Sequence, residues 1–240
     1  MADYKNDQFP ATPSSHKEVA DFIQQAEQLP TTTNAISKGR LIFALDATAS
    51  REATWDRACH LQGKMFTETK ALGQLAIQLC YYRGFSQFHA SPWLHSTEAL
   101  LAEMNQVSCI GGFTQISRLL QHGLAEAKRQ PLQAIVFVGD SLEESIDEVC
   151  NWAGQLKLRG VPVFLFQEGD DEVATQGYQQ IARVSGGAHC QFDEGSAAEL
   201  QALLSAVAVY SVGGLKALHQ FAKGQPEIVL QLEHQLSGGC

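Results

Sequence analysis

The chain has 240 residues, 45% of them hydrophobic and 18% charged, with a formal net charge of −9. That length suits one large domain with a substantial core, or two small ones, and the composition is ordinary for a soluble globular protein. The acidic balance, with no Lys/Arg cluster, excludes a surface built to track nucleic-acid phosphates.

The opening stretch MADYKNDQFP is polar and acidic, unlike a secretory signal, so a cytoplasmic location is expected. Pro10 and Pro13 sit in a polar lead-in, and SSHKEVADFIQQAEQLP then reads as a helix capped by Ser14 or Ser15 and stopped by Pro30. TTTNAISKGR is a linker, giving an N-terminal unit over 1–37. From residue 38 the pattern alternates. RLIFALD is a continuous apolar run, as expected of a strand covered on both faces. A helix is expected through TWDRACHLQGKMFTETKAL, a strand over LAIQLCYYR, and a short strand or loop over FSQFHASPW. A helix over STEALLAEMNQV, a loop SCIGGFTQ and a helix over ISRLLQHGLAEAKRQ follow.

The second half repeats the scheme. LQAIVFVGD reads as a strand, LEESIDEVCNWAGQLKLRG as a helix and VPVFLFQEG as a strand. DEVATQGYQQIARVSGG is a helix, AHCQFD a short strand, and SAAELQALLSAVAVYSVGGLKALHQFA one closing helix, with 224–240 left as a tail. The longest apolar runs are strand-sized or broken by polar residues, so no transmembrane segment and no membrane partner are expected. Parallel strands need crossover connections, so this alternation predicts a single doubly wound α/β domain over 38–223, its sheet mostly parallel and covered by helices on both faces.

In such sheets ligands bind beyond the carboxyl ends of the strands. Asp46 closes the first strand, with hydroxyls following at Thr48 and Ser50; Thr114 lies in a loop that feeds a helix, and Asp140 closes AIVFVGD. The i, i+2, i+4 spacing of Asp46, Thr48 and Ser50 lets a turning backbone aim all three at one point. Two carboxylates and three hydroxyls suit a hard cation such as magnesium or manganese, which takes oxygen ligands. Each residue also has an ordinary alternative, because Asp, Ser and Thr after a strand often cap the next helix.

DATAS, the threonine of GGFTQ and the aspartate of VFVGDS together resemble the metal-ion-dependent adhesion site of von Willebrand factor A (VWA) domains, D-x-S-x-S, then Thr, then Asp. The resemblance covers roughly residues 38 to 210, and YQQIARVSGGAHCQF is similar to the late helix, turn and strand of that family. It implies magnesium contacts, direct or through water, from Asp46, Thr48, Ser50, Thr114 and Asp140. It also implies a protein partner that docks an acidic residue on the metal, within a larger assembly. Two positions depart from the pattern: Thr48 replaces a serine, and Arg51 stands where a small or apolar residue is commoner.

The function expected is therefore a metal-dependent protein-binding module and not an enzyme. The alternative is a magnesium-dependent phosphohydrolase of the haloacid-dehalogenase type, with Asp46 as nucleophile and Gly139-Asp140 on the metal; Thr48 then stands where the general acid should be. The histidines show no HxH or HExxH spacing, Ser50 lies in no GxSxG elbow, and the six cysteines form no CxxC pair. The acidic run EGDDE (168–172) is expected to be a solvated loop that caps a helix.

Overall fold

A computed structural model describes residues 39–51, 75–192 and 197–238. The N-terminal unit with its expected helix, the helix expected within 52–74, and the terminal Gly239-Cys240 lie outside the described residues. The six strands are β1 (Gly39–Asp46), β2 (Leu75–Arg83), β3 (Gln87–Leu94), β4 (Ala134–Gly139), β5 (Val163–Glu168) and β6 (His189–Phe192). The helices are α1 (Thr97–Met104), α2 (Ile116–Arg129), α3 (Ile146–Lys157), α4 (Glu172–Ser185), α5 (Ala197–Ala222) and α6 (Glu227–Ser237).

One sheet runs in the order β3-β2-β1-β4-β5-β6, and every pairing is parallel except β2 with β3. Alternate residues of β1 explain the layering. Leu41, Phe43 and Leu45 face a core shared with α1, α5 and α6, whereas Ile42 and Ala44 face one shared with α2, α3 and α4. All eight residues of β1 are buried, which is why Leu41 to Leu45 are uninterruptedly apolar up to Asp46, while Arg40 near the start of the strand is paired with Glu126. The fold is thus the expected α/β sandwich with a mostly parallel sheet.

Three features differ from the sequence reading. FSQFHASPW, read as a short strand or a loop, is a strand from Gln87 onward, and it is antiparallel because a short turn through Gly84 at φ 59° joins β2 to β3 and leaves no room for a crossover. The closing helix is broken at Gly214, whose φ of 66° is non-helical. Its stretch Ala198–Ala222 is long and apolar enough to span a membrane, yet 56% of an 18-residue apolar window within it is buried, with Leu203, Leu204 and Val207 in the core. The third difference is α6, where a tail was expected. Its Ile228, Val229 and Leu232 enter the core, and Gln235 pairs with both backbone groups of His189, covering the free edge of β6.

Candidate functional site

Strand order reverses between β1 and β4, so a crevice opens beyond the carboxyl ends of these two strands. β1 delivers Asp46 to its floor. There the side chain is fully buried, one oxygen accepting the Thr48 N–H at 2.7 Å and the other accepting the Tyr82 hydroxyl at 2.9 Å. The first bond turns the chain straight after the strand, as Asp side chains commonly do, and the turn tightens into a 3-10 segment at Ala49–Arg51. Thr48 and Ser50 come onto one side of it, their hydroxyl oxygens 3.1 Å apart, with Thr48 buried and Ser50 exposed. The Arg51 side chain lies outside the described part of the molecule.

The second wall is the loop between α1 and α2. Ile110 donates its N–H to the Ala47 carbonyl at 3.0 Å, and Gly84 donates to the Ile110 carbonyl at 3.2 Å, so this loop is sewn to β1 and to the β2–β3 turn. Gly112 is needed for the approach: a Cβ there would stand 2.0 Å from the Gly84 carbonyl oxygen. The glycines of GGF thus serve backbone packing, and the packing presents Thr114.

β4 supplies the third wall. Gly139 lets the Tyr178 ring pass, since a Cβ would meet its hydroxyl at 2.9 Å, and that hydroxyl donates to the Ser141 carbonyl at 2.8 Å. Asp140 follows, and its Oδ1 is a buried oxygen without any hydrogen-bond partner. The N-caps of α2 and α3 are Gln115 and Ser145, so Thr114 and Asp140 are not there to cap the helices that follow them.

The α2 N-terminus is instead satisfied from across the crevice. Glu144 accepts the N–H groups of Ile116 and of Ser117, the latter at 2.9 Å, while Glu143 accepts that of Thr114 at 3.0 Å. The Glu143 N–H donates in turn to the Thr114 hydroxyl at 3.1 Å. Carboxylates at a helix N-terminus are favoured by its exposed N–H groups and dipole. This use of Glu143 and Glu144 explains why α3 begins four residues later than the sequence reading, and why LEES is loop.

The result is a cleft of about 280 Å³ lined by Thr48, Ala49, Ser50, Gly111, Gly112, Thr114, Asp140, Ser141 and Glu143. Four of the five residues expected at the site line it, and Asp46 lies beneath, tied to it through Thr48. No basic side chain is among the lining residues. Burial pushes the Asp46 carboxyl above the ordinary carboxylate range, the Thr48 and Tyr82 hydrogen bonds oppose this, and the charge of Asp140 adds to it. The donors fit a hard cation: two carboxylates share one electrostatic environment, one carboxylate oxygen is orphaned, and hydroxyls surround it. Among the described residues no group of three or more His, Cys, Asp and Glu side chains is arranged for a metal, so a softer, zinc-type site has no counterpart there.

Sequence reasoning missed the supports. Tyr82 reads as core, and it is core, but its hydroxyl holds Asp46. Glu143 and Glu144 read as the first turn of a helix. His122 and His189 bond to Gln78 and Gln167; in the acidic run Asp171 caps α4 as expected, accepting from Ala174 at 2.6 Å, whereas Glu168 is the buried end of β5 and not part of a solvated loop. Cys80 and Cys190 are buried, while Cys109 and Cys150 are half-buried.

No protein-family model matches the chain, and no curated protein matches its sequence. Solved structures do match in fold. One is a von Willebrand factor type A protein from Catenulispora acidiphila, with TM-score 0.59 and 13% identity, covering 74% of this chain and 43% of that one. Another is the vWF domain of the type V pili tip protein Mfa5 from Porphyromonas gingivalis, with TM-score 0.58, 11% identity and coverages of 70% and 93%. The SpRpn10 VWA domain matches with TM-score 0.51, 12% identity and coverages of 71% and 95%. The chain therefore has a VWA-like fold, and it spans under half the length of the Catenulispora protein.

Proposed function

We propose that the chain is a VWA-type protein-binding module that holds magnesium or manganese in the β1/β4 crevice and docks an acidic residue of a partner on that ion. Asp140, Thr114, Thr48 and Ser50 would supply the oxygens facing the cleft, with Asp46 as the buried carboxylate that neutralises the ion from below. The observation that carries the reading is the buried, unpartnered Oδ1 of Asp140 in a crevice with the Asp46 carboxylate beneath it and no basic side chain among its described lining residues. A buried carboxylate oxygen without a donor is costly, and a cation is the partner that this donor set lacks. The hydroxyls fill positions without adding charge, which would leave a coordination position for a carboxylate from outside.

The phosphohydrolase alternative gains nothing from this geometry. Asp46 is fully buried with both oxygens engaged, which leaves it no line of attack on a phosphoryl group, and Thr48 carries no titratable proton near neutral pH. Calorimetric titration with magnesium tests the proposal. One site is expected in the parent and none in Asp140→Asn, with both proteins equally folded by circular dichroism. Equal binding by the two would move the ion elsewhere.

A further inference from the structure

Seven large hydrophobic side chains are exposed among the described residues, and three of them, Phe85, Ile110 and Phe113, sit on the two loops that meet beside the cleft. The other four, Leu158, Val173, Leu215 and Leu230, lie on other segments of the chain. Phe85 is 75% exposed and Phe113 57%, and their rings touch edge to face at a centroid distance of 5.4 Å. Exposed aromatic rings that pair with each other form a patch, and contiguous patches mark interaction sites. This patch adjoins the cleft. Phe113 lies between Gly112 and Thr114, both of which line the cleft, and Phe85 follows Gly84, whose carbonyl Gly112 approaches most closely.

The two loops are also held rigidly. Arg83 donates to the Ser108 carbonyl at 2.8 Å, and Arg118 donates to the Ser86 carbonyl at 2.6 Å. These arginines give the shelf a positive flank on a chain whose net charge is −9. A prefixed apolar shelf with basic flanks, beside a cleft built for a cation, suits a ligand that is both acidic and apolar. Little ordering would be needed on this side of the contact.

We propose that Phe85, Ile110 and Phe113 form a second subsite, which receives a large apolar side chain one or two residues from the partner's metal-docking acid. The partner is thus a protein segment in which an Asp or Glu is flanked by a bulky hydrophobic residue. This inference rests on the metal-docking reading for the position of the acid.

The test uses the full chain and a random linear-peptide display library, selected in magnesium. The enriched peptides should carry an Asp or Glu with Leu, Ile, Phe, Trp or Tyr within two positions. The best of them, measured by fluorescence anisotropy, should bind the Phe85→Ser/Phe113→Ser double variant at least about tenfold more weakly, as loss of an aromatic anchor typically does. The melting midpoint of that variant should match the parent, because both rings are mostly exposed.

Enrichment of no peptides, or of acidic peptides without an apolar neighbour, overturns the subsite. So does a midpoint lowered by more than about 4 °C, which would show that the chain's own residues cover the shelf. A dimer seen by sedimentation and lost in the variant would assign the shelf to a second copy, and overturns it too. Chelator separates the two readings. Peptide binding lost with the rings but untouched by chelator removes the metal and keeps the shelf, whereas binding lost with chelator but untouched by the double variant does the reverse.

Discussion

Thr114 and Glu143 hold each other by a reciprocal pair: the Thr114 N–H donates to the Glu143 carboxylate at 3.0 Å, and the Glu143 N–H donates to the Thr114 hydroxyl at 3.1 Å. One residue lies on the loop before α2 and the other on the loop after β4, so the pair sets the width of the crevice between Thr114 and Asp140. The hydroxyl accepts the Glu143 N–H with one lone pair and keeps another for an ion.

That clamp can be separated from the carboxylate's charge. Glu143→Gln retains an oxygen that accepts the Thr114 N–H, whereas Glu143→Ala leaves that N–H without its acceptor, at a cost of about 1–3 kcal/mol. If Glu143 acts by positioning, magnesium should bind the Gln variant within about twofold of the parent and the Ala variant roughly tenfold more weakly. Calorimetric titration of the three proteins reads the difference. Equal losses in both variants would make the charge, and not the clamp, the contribution of Glu143.

Asp46→Asn should dissociate stability from ion binding. Burial, with Asp140 adding to it, raises the folded-state pKa of Asp46 above its ordinary value, so the ionised side chain penalises the folded protein at neutral pH. Asparagine removes the charge and keeps an oxygen for the Thr48 N–H. In chelator at neutral pH its melting midpoint should therefore equal or exceed that of the parent. The gap should begin to narrow as pH falls through the raised pKa of Asp46, and close only near its ordinary value of 3.8, where the unfolded chain is protonated too. In magnesium at about 100 times its Kd the parent should gain about 2.7 kcal/mol, roughly 5–10 °C, and the Asn variant nothing. Asp46→Ala is the poorer probe, because it strands the Tyr82 hydroxyl and the Thr48 N–H in the core.

The contrast between Asp46 and Glu143 shows what a sequence can reveal. An apolar run, Leu41 to Leu45, that ends in an acid is conspicuous, because burial on both faces leaves that part of β1 without any other polar residue. Thr114 and Asp140 stand out for the same reason, at the ends of patterned segments. Glu143 and Glu144 carry no such mark: acids before a helical pattern look the same whether they start their own helix or cap another. The turn after β2 was ambiguous because only three residues, Gly84 to Ser86, decide between an antiparallel neighbour and a loop. Reading 224–240 as a tail passes over Ile228, Val229 and Leu232, which share one helical face.

The C-terminal helix is consequently open to a direct test. Leu232 is fully buried among residues of α5 and β6, so Leu232→Ala should destabilise the protein by about 2–5 kcal/mol in denaturant unfolding, as core truncations do. Leu230, on the exposed side of the same helix, should tolerate alanine within about 0.5 kcal/mol. Equal tolerance at both positions would return residues 224–240 to the status of a tail.

Acid should weaken the same end of the sheet through His189. Its ring is buried between Gln167 and Tyr178, with Nε2 2.9 Å from Gln167 Oε1, and burial lowers its pKa from 6.5 to about 4. The unfolded chain thus binds a proton between those values that the folded chain does not. The stability lent by a neutral His189 is complete above about pH 6.5, falls as pH drops, and is gone once the folded form also protonates near pH 4. Glutamine can present a side-chain N–H to Gln167 without titrating. His189→Gln should therefore flatten the stability profile between pH 6.5 and 4 by up to about 3 kcal/mol, while stability at pH 8 changes by less than about 1 kcal/mol. Urea midpoints measured across that range, in chelator, read the effect. A variant whose profile falls as steeply as the parent's would place the acid-sensitive group elsewhere, with the carboxylates of the β1/β4 crevice next to be titrated.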